Sequence, residues 1–287
     1  MKLSNFYSNT KYDFTVKNIV TSISKIKKNS IFVNLQNDTN IDIPSSIKDH
    51  VLVVTQVPLY DINIMSINVL NIYDELIRIY NIFYNLNNHH TKLIGVLNDD
   101  FLNYTKIIND LFSYGLKEKN ATISTLDDID QIYDLIGSYY KKKFKYIFIV
   151  FHSSEIGLLE HLIYFDYIIL PKTNHSSSLK AIMNLTKFLK DSGIILNNSS
   201  DFKDLFLSNQ YISFGFDDNC LYKITNMKQH NKIITGSIYK NGTELTEFLF
   251  CINNYDYIYF FVSLFVLCDN EYQSVEQVHI FFSKYIL

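Results

Sequence analysis

The chain has no tryptophan and a single arginine, Arg78, among its 287 residues. With 26 basic against 29 acidic residues and a net charge of -3, it also lacks the positive field that tracks phosphates, so no direct nucleic-acid role is expected. Cysteine is scarce. Cys220, Cys251 and Cys268 lie far apart and form neither a metal-ligand spacing nor a paired framework, which points to a reducing compartment. No apolar core of signal-peptide type stands in MKLSNFYSNTKYDF. The longest apolar run, YIYFFVSLFVLC at 257–268, falls short of the about 20 residues that span a bilayer. A soluble intracellular protein, of the cytoplasm or an organelle matrix and without membrane association, is the expectation.

What is present is an ordinary globular composition, 47% hydrophobic and 19% charged, long enough for two cores. The excess of Ile, Asn, Lys, Tyr and Phe follows AT-rich codons, so a lone Asn or Tyr says little. YDFTVKNIVTSISKIKKN has helical spacing, or a helix leading into a turn. SIFVNL and HVLVVTQ read as strands. NVLNIYDELIRIYNIFYNL reads as an amphipathic helix with Val69, Ile72, Leu76 and Ile79 on one face, and the polar break NNHHT after it marks a domain boundary.

Beyond that break, strands and helices alternate: KLIGVL, LNYTKIINDLFSYGL, ATISTL, DDIDQIYDLIGSYY, KYIFIVF, GLLEHLIYF, DYIILP, SLKAIMNLTKFLKD and GIILNN. This order predicts a mostly parallel sheet with helices on both sides. YISFGF, CLYKITN and KIITGSIYKNGTELTEFLF then suggest an antiparallel meander with a turn at Asn241 and Gly242. Two helices, YDYIYFFVSLFVLC and SVEQVHIFFSKYI, follow. The fold class is therefore α/β: a small N-terminal α/β domain over 1–88, and over 89–287 a domain with a C-terminal antiparallel extension.

KLIGVLNDDFLNYTKIINDLF, at 92–112, has the strand, loop and helix layout in which many α/β proteins hold a phosphate at a helix N-terminus. Yet no glycine follows Gly95 within the loop and no lysine precedes Lys106.

These stretches, in their order and spacing, resemble the Mur ligases, and among them the MurE (UDP-N-acetylmuramoyl-tripeptide synthetase) type, over nearly the whole chain. IVTSISKIKKNSIFVNL looks like the MurE opening that presents the uridine nucleotide, and GVLNDDFLNYT sits where the family has GVTGTNGKTT. FIVFHSSEIGLLEHLIYFDYIILPKTNH resembles the segment with Glu-Val-Ser-Ser, Thr-Asn and Asp-His. GIILNNSSD resembles Leu-Asn-Ala-Asp-Asp, YISFGF resembles Thr-Phe-Gly, and INNYDYIYFFVSLFVLC resembles the closing His-Asn-x-x-Asn helix.

The resemblance implies a P-loop-like ATPase domain, and it also places the losses. A phosphate loop needs glycines that let backbone N–H groups converge and a lysine that neutralises charge. The degenerate loop positions are Gly95, Asn98, Asp99, Asp100, Leu102 and Thr105, with Leu102 at the lysine position and two carboxylates facing a triphosphate. The magnesium-binding glutamate falls on Phe151, and the serines after it on Ser153 and Ser154. Asp-His becomes Asn174 and His175. Leu-Asn-Ala-Asp-Asp leaves Asn197, with Ser199 and Ser200 for its aspartates, and His-Asn becomes Asn253 and Asn254. The modified lysine has no secure counterpart beyond Lys180 or Lys187. By the same resemblance, the third ligase domain that would follow Leu287 is expected to be absent.

Plainer accounts stand beside these. His175 reads as a loop histidine, and Asp99 or Asp100 as a helix N-cap. His152 with Ser153 or Ser154 has no nucleophile elbow. His89 and His90 diverge as neighbours, and KKKFK at 141–145 suits a solvated helix end. The apolar helix at 255–268 is core by default, although a missing domain could leave surface for a partner. No catalytic residue, metal or cofactor is expected. The resemblance implies an inert MurE-like pseudo-ligase working as a structural or regulatory subunit of a hetero-oligomeric protein assembly. Two alternatives remain open: a divergent ATP- and magnesium-dependent ligase of a UDP-MurNAc-peptide-like substrate, and a uridine-nucleotide-binding module.

Overall fold

A computed structural model describes residues 1–8, 13–86, 90–99, 102–124, 128–159, 164–171, 184–198, 211–251 and 257–284. The chain divides into two compact units. One contains Met1–His89, Asp127–Lys142 and Leu158–Ile163, and the other contains the rest. The expected first domain, 1–88, is thus joined in its unit by two later segments.

The first unit carries a four-stranded parallel sheet in the order β1 (Asn18–Val20), β2 (Ser30–Val33), β3 (Val51–Thr55), β4 (Ser66–Asn68). SIFV and VLVVT are buried at every position, as strands covered on both faces should be. The helix expected within YDFTVKNIVTSISKIKKN is not formed. β1 and a 3₁₀ turn at Ile23–Lys25 stand there instead, because Asn18–Val20 pair with Ser30–Phe32. A long-range ladder has overridden the local period.

α1 (Ile72–Tyr84) starts where the Asn71 side chain accepts from the N–H groups of Tyr73 and Asp74, and stops at Asn85 in a left-handed conformation, φ 56°. Ile72, Leu76 and Ile79 are buried as predicted, whereas Val69 precedes the cap. α3 (Ile129–Lys141), capped by Asp128, lays the Tyr133 ring on that of Tyr80 at 3.7 Å between centroids. Its residue Asp130, 5% exposed, accepts from the Thr21 backbone at 3.0 Å, the Thr21 hydroxyl at 2.9 Å, the Tyr80 hydroxyl at 3.1 Å and Lys25 Nζ at 3.2 Å. Buried carboxylates persist only when paired in this way.

The second unit is built on a nine-stranded sheet: β5 (Lys92–Leu97), β6 (Asn120–Ile123), β7 (Tyr146–Phe151), β8 (Phe165–Leu170), β9 (Leu189–Asn197), β10 (Tyr211–Gly215), β11 (Tyr222–His230), β12 (Ile233–Lys240) and β13 (Thr243–Cys251). Its spatial order is β13-β12-β11-β10-β9-β8-β5-β7-β6. Pairing is parallel from β6 to β11 and antiparallel from β11 to β13. Two expectations need correction. YISFGF belongs to the parallel part, since β10 pairs parallel with both β9 and β11. The helix expected to run to Asp191 has given way by Leu189, which pairs with Phe165. The Asn241–Gly242 turn has φ 52° and 79°, the mirror-image geometry that suits a two-residue hairpin.

α2 (Tyr104–Asp110) runs on into a π-turn at Leu111–Gly115. α4 (Ile156–Leu159) is short; α5 (Tyr257–Asn270) and α6 (Val275–Lys284) close the described chain. α5 is buried at every residue from Phe260 to Cys268. Phe260 stacks on Tyr104 at 3.7 Å, and Phe261 and Phe265 meet Phe250 and Phe282. Its all-round apolar character is thus satisfied within the core of this unit. No helix among the described residues is long and apolar enough to cross a membrane.

Candidate functional site

In an open parallel sheet, ligands collect at the carboxyl ends of the strands where the chain order reverses. That switch lies at β5: the chain leaves it for β6 and β7 on one side and for β8 to β10 on the other. The loop that follows β5 is therefore where a phosphate would sit.

Its described residues are closed upon themselves. Asn98, 9% exposed, donates from Nδ2 to the Leu102 carbonyl at 2.9 Å, while its Oδ1 accepts the Leu102 N–H at 3.2 Å. Asp99 accepts the Ser153 N–H at 2.8 Å. The helix cap is neither Asp99 nor within NDD. Asn103 Oδ1 accepts the Lys106 N–H at 3.2 Å, because α2 begins only at Tyr104, and the Asn103 N–H reaches the Tyr257 hydroxyl at 3.3 Å. Four N–H groups around the loop thus already have acceptors. Leu102, at the expected lysine position, is half-buried and packs on the hydrophobic core, while Thr105 sits half-buried in the first turn of α2.

Phe151 ends β7 completely buried. Its ring lies against Gly95, where a Cβ would come 3.1 Å from Phe151 and 3.3 Å from Phe165. Gly95 therefore serves ring packing in the middle of a strand, not a phosphate turn. Ser153 and Ser154 are exposed in a 3₁₀ turn, and the Glu155 carboxylate accepts the His152 N–H at 2.6 Å in a capping box. These residues form a turn with no nucleophile–base pair. Cys268 is equally unsuited as a nucleophile, for burial pushes its thiol well above the usual range.

Asn197 closes β9 with no solvent exposure, and neither amide atom has a hydrogen-bond partner among the described residues. Asp100, Asn174, His175, Lys180, Ser199, Ser200, Asn253, Asn254 and His89 lie outside the described residues. Lys187 is exposed in a 3₁₀ turn. Lys141 to Lys143 are exposed at the end of α3, the solvated helix end expected of KKKFK. No metal-ligand cluster occurs among the described residues.

The first unit offers a second place. At the carboxyl ends of β1 and β2, a small pocket of 160 Å³ is lined by Thr21, Ser22, Ile23, Phe32, Asn34, Gln36 and Asp38. Asn34 shapes it as Asn98 shapes the other loop, giving Nδ2 to the Asp38 carbonyl at 2.8 Å and taking the Asp38 N–H at 3.2 Å. The sequence resemblance pointed to the opening segment but not to these side chains, since an asparagine is uninformative in so asparagine-rich a chain.

No family model and no curated protein matches the chain. Solved structures do. A UDP-N-acetylmuramoyl-L-alanyl-D-glutamate–2,6-diaminopimelate ligase superposes with a TM-score of 0.72 at 11% identity, over 100% of this chain and 67% of that one. MurF from Acinetobacter baumannii gives 0.58 at 10% identity, over 96% and 64%. MurF ligase from Thermotoga maritima in complex with ADP gives 0.55 at 11% identity, over 94% and 66%. The chain has the Mur ligase fold and spans about two thirds of the length of these proteins.

Proposed function

We propose that this chain is a catalytically inactive, MurE-like pseudo-ligase that serves as a structural or regulatory subunit of a larger protein assembly. One observation carries the reading: among the described residues of the loop after β5, the Asn98–Leu102 closure, with Leu102 itself packed on the core, leaves no converging free N–H groups and no cation. Phosphate binding depends on both. The exposed carboxylate of Asp99 adds charge of the wrong sign, and the buried Phe151 ring offers nothing to magnesium. These residues do not fit a magnesium triphosphate. The MurE type within the fold is supported by the resemblance of the opening segment and by the higher TM-score of the diaminopimelate-adding ligase.

Calorimetric titration with magnesium ATP tests inertness. No heat of binding into the millimolar range is expected, and binding that vanishes in Asp99→Asn would favour the divergent-ligase reading. Purification of the tagged protein at native level should recover stoichiometric partners, and recovery of the lone monomer would count against a subunit role. The pocket beside Phe32, with Ser22, Gln36 and Asp38 around it, favours one other reading, a uridine-nucleotide module. Its 160 Å³ is below the roughly 300–1,000 Å³ of ordinary ligand pockets, which ranks it second. A thermal-shift series with uridine mono- and diphosphate tests it.

A further inference from the structure

The four-stranded sheet of the first unit ends on β4, which pairs with no further strand among the described residues. The Val53 N–H donates to the Met65 carbonyl and the Val69 N–H to the Thr55 carbonyl, so 65, 67 and 69 turn towards β3, and the peptide groups of Ser66 and Asn68 turn outward. Both residues are exposed. Proteins usually guard such an edge with a lysine, a proline, a bulge or a covering element, and β4 itself has none of the first three. A cleft of about 1110 Å³ runs against it, lined among others by Tyr7, Ile64, Ser66, Ile67, Glu75 and Arg78.

Two further observations describe what the edge would take. Large apolar side chains bracket it: Tyr60 is 79%, Ile62 91% and Leu70 99% exposed. Ile62 also lines the cleft, so an apolar side chain of a partner entering it would lose water against that residue. Arg78 gives Nε and Nη2 to Glu75, at 2.9 and 2.6 Å, and Nη2 also to the Phe6 carbonyl at 3.1 Å. Its guanidinium also lies over the Tyr7 ring, 4.9 Å from the centroid, and the side chain is 40% exposed. A carboxylate is the natural complement of the exposed part of that guanidinium.

We infer that the β4 edge binds an extended segment of a partner protein, added as a fifth strand, with apolar side chains on Ile62 and Leu70 and a carboxylate on Arg78. Main-chain hydrogen bonds supply affinity in this mode and alternate side chains supply specificity. The inference deepens the assembly reading above and rests on it for the existence of a partner.

Selection of phage-displayed random dodecapeptides on the full chain tests it. The expected winners alternate apolar residues and carry an aspartate or glutamate. A synthetic winner should lose at least about tenfold in affinity against Ser66→Pro, which removes an outward N–H, and against Arg78→Gln. Ile62→Asp and Leu70→Asp, at positions more than nine-tenths exposed, should weaken it with the fold unchanged by circular dichroism. Failure to enrich any sequence, or winners indifferent to all four variants, overturns the inference. So does a dimer of the free chain, measured by light scattering, that Leu70→Asp dissociates. Titration of magnesium ATP into the same protein separates the two readings: ATP binding with the peptides still selected overturns inertness alone, whereas no ATP binding and no peptide overturns the edge alone.

Discussion

Replacement of Phe151 distinguishes a core ring from an eroded metal position. The ring is completely buried at the end of β7 and packs over Gly95 beside Phe165. Truncation in Phe151→Ala loses the transfer energy of the ring and opens a cavity, together about 3–5 kcal/mol. For a chain of this size, at about 2–4 °C per kcal/mol, the melting temperature should fall by roughly 6–20 °C. Phe151→Glu should fall further, since a carboxylate at a completely buried position adds a cost of several kcal/mol, and total stability is only about 5–15 kcal/mol. Phe151→Leu should lie between wild type and Phe151→Ala. The assay is thermal melting followed by circular dichroism, with and without magnesium ATP. The reasoning fails if Phe151→Glu melts at or above Phe151→Ala and magnesium ATP raises it, for the position would then be a metal ligand waiting for its carboxylate.

Three other outcomes follow from the first unit. Asp130→Ala strips four donors of their acceptor and leaves Lys25 beside a hole, so about 3–5 kcal/mol should disappear from urea unfolding, with early hydrogen exchange at the Thr21 amide. Gly137→Ala gains about 1 kcal/mol of helix propensity but places a Cβ 2.1 Å from the Tyr84 ring, so it should destabilise the protein, and should stabilise it in a Tyr84→Ala background. Burial raises the carboxyl pKa of both Asp128 and Glu75, but hydrogen bonds from Lys25 to Asp128, and from Arg78 and Tyr7 to Glu75, outweigh it and hold both below their ordinary values. Their contribution is therefore complete above the unfolded values, about 4, and is lost as pH falls through the folded ones. The urea midpoint should be level from pH 7 to about 5 and decline below about 4; a midpoint that rises on acidification would contradict the pairing.

How much was legible depended on how local the cause was. β5, β7 and α1 could be read because an unbroken apolar run and a 3.6-residue period survive in any context. The Asn241–Gly242 turn carries its own geometry. β1 was hidden, for its pairing is with β2 and its anchor, Asp130, comes 109 residues after Thr21. β10 looked like a meander strand since YISFGF has the same alternation whether its neighbour runs parallel or antiparallel. At the candidate site, the missing lysine and glycines were plain in the letters, but the closure of the loop was not. Asn98, Asn103 and Asp99 are interchangeable as caps on paper, and only the late start of α2 assigns Asn103 to the cap and Asn98 to Leu102.

The membership of α3 in the first unit sets an order of events during synthesis. The four strands and α1 have all left the ribosome well before residue 127, yet Tyr80 still lacks Tyr133, and Thr21 and Lys25 still lack Asp130. Domains generally complete folding as units while the chain grows. This one must wait through β5, α2 and β6 for a helix encoded downstream of them, so a nascent chain arrested between residues 89 and 127 should be open to protease, and one released past 163 closed.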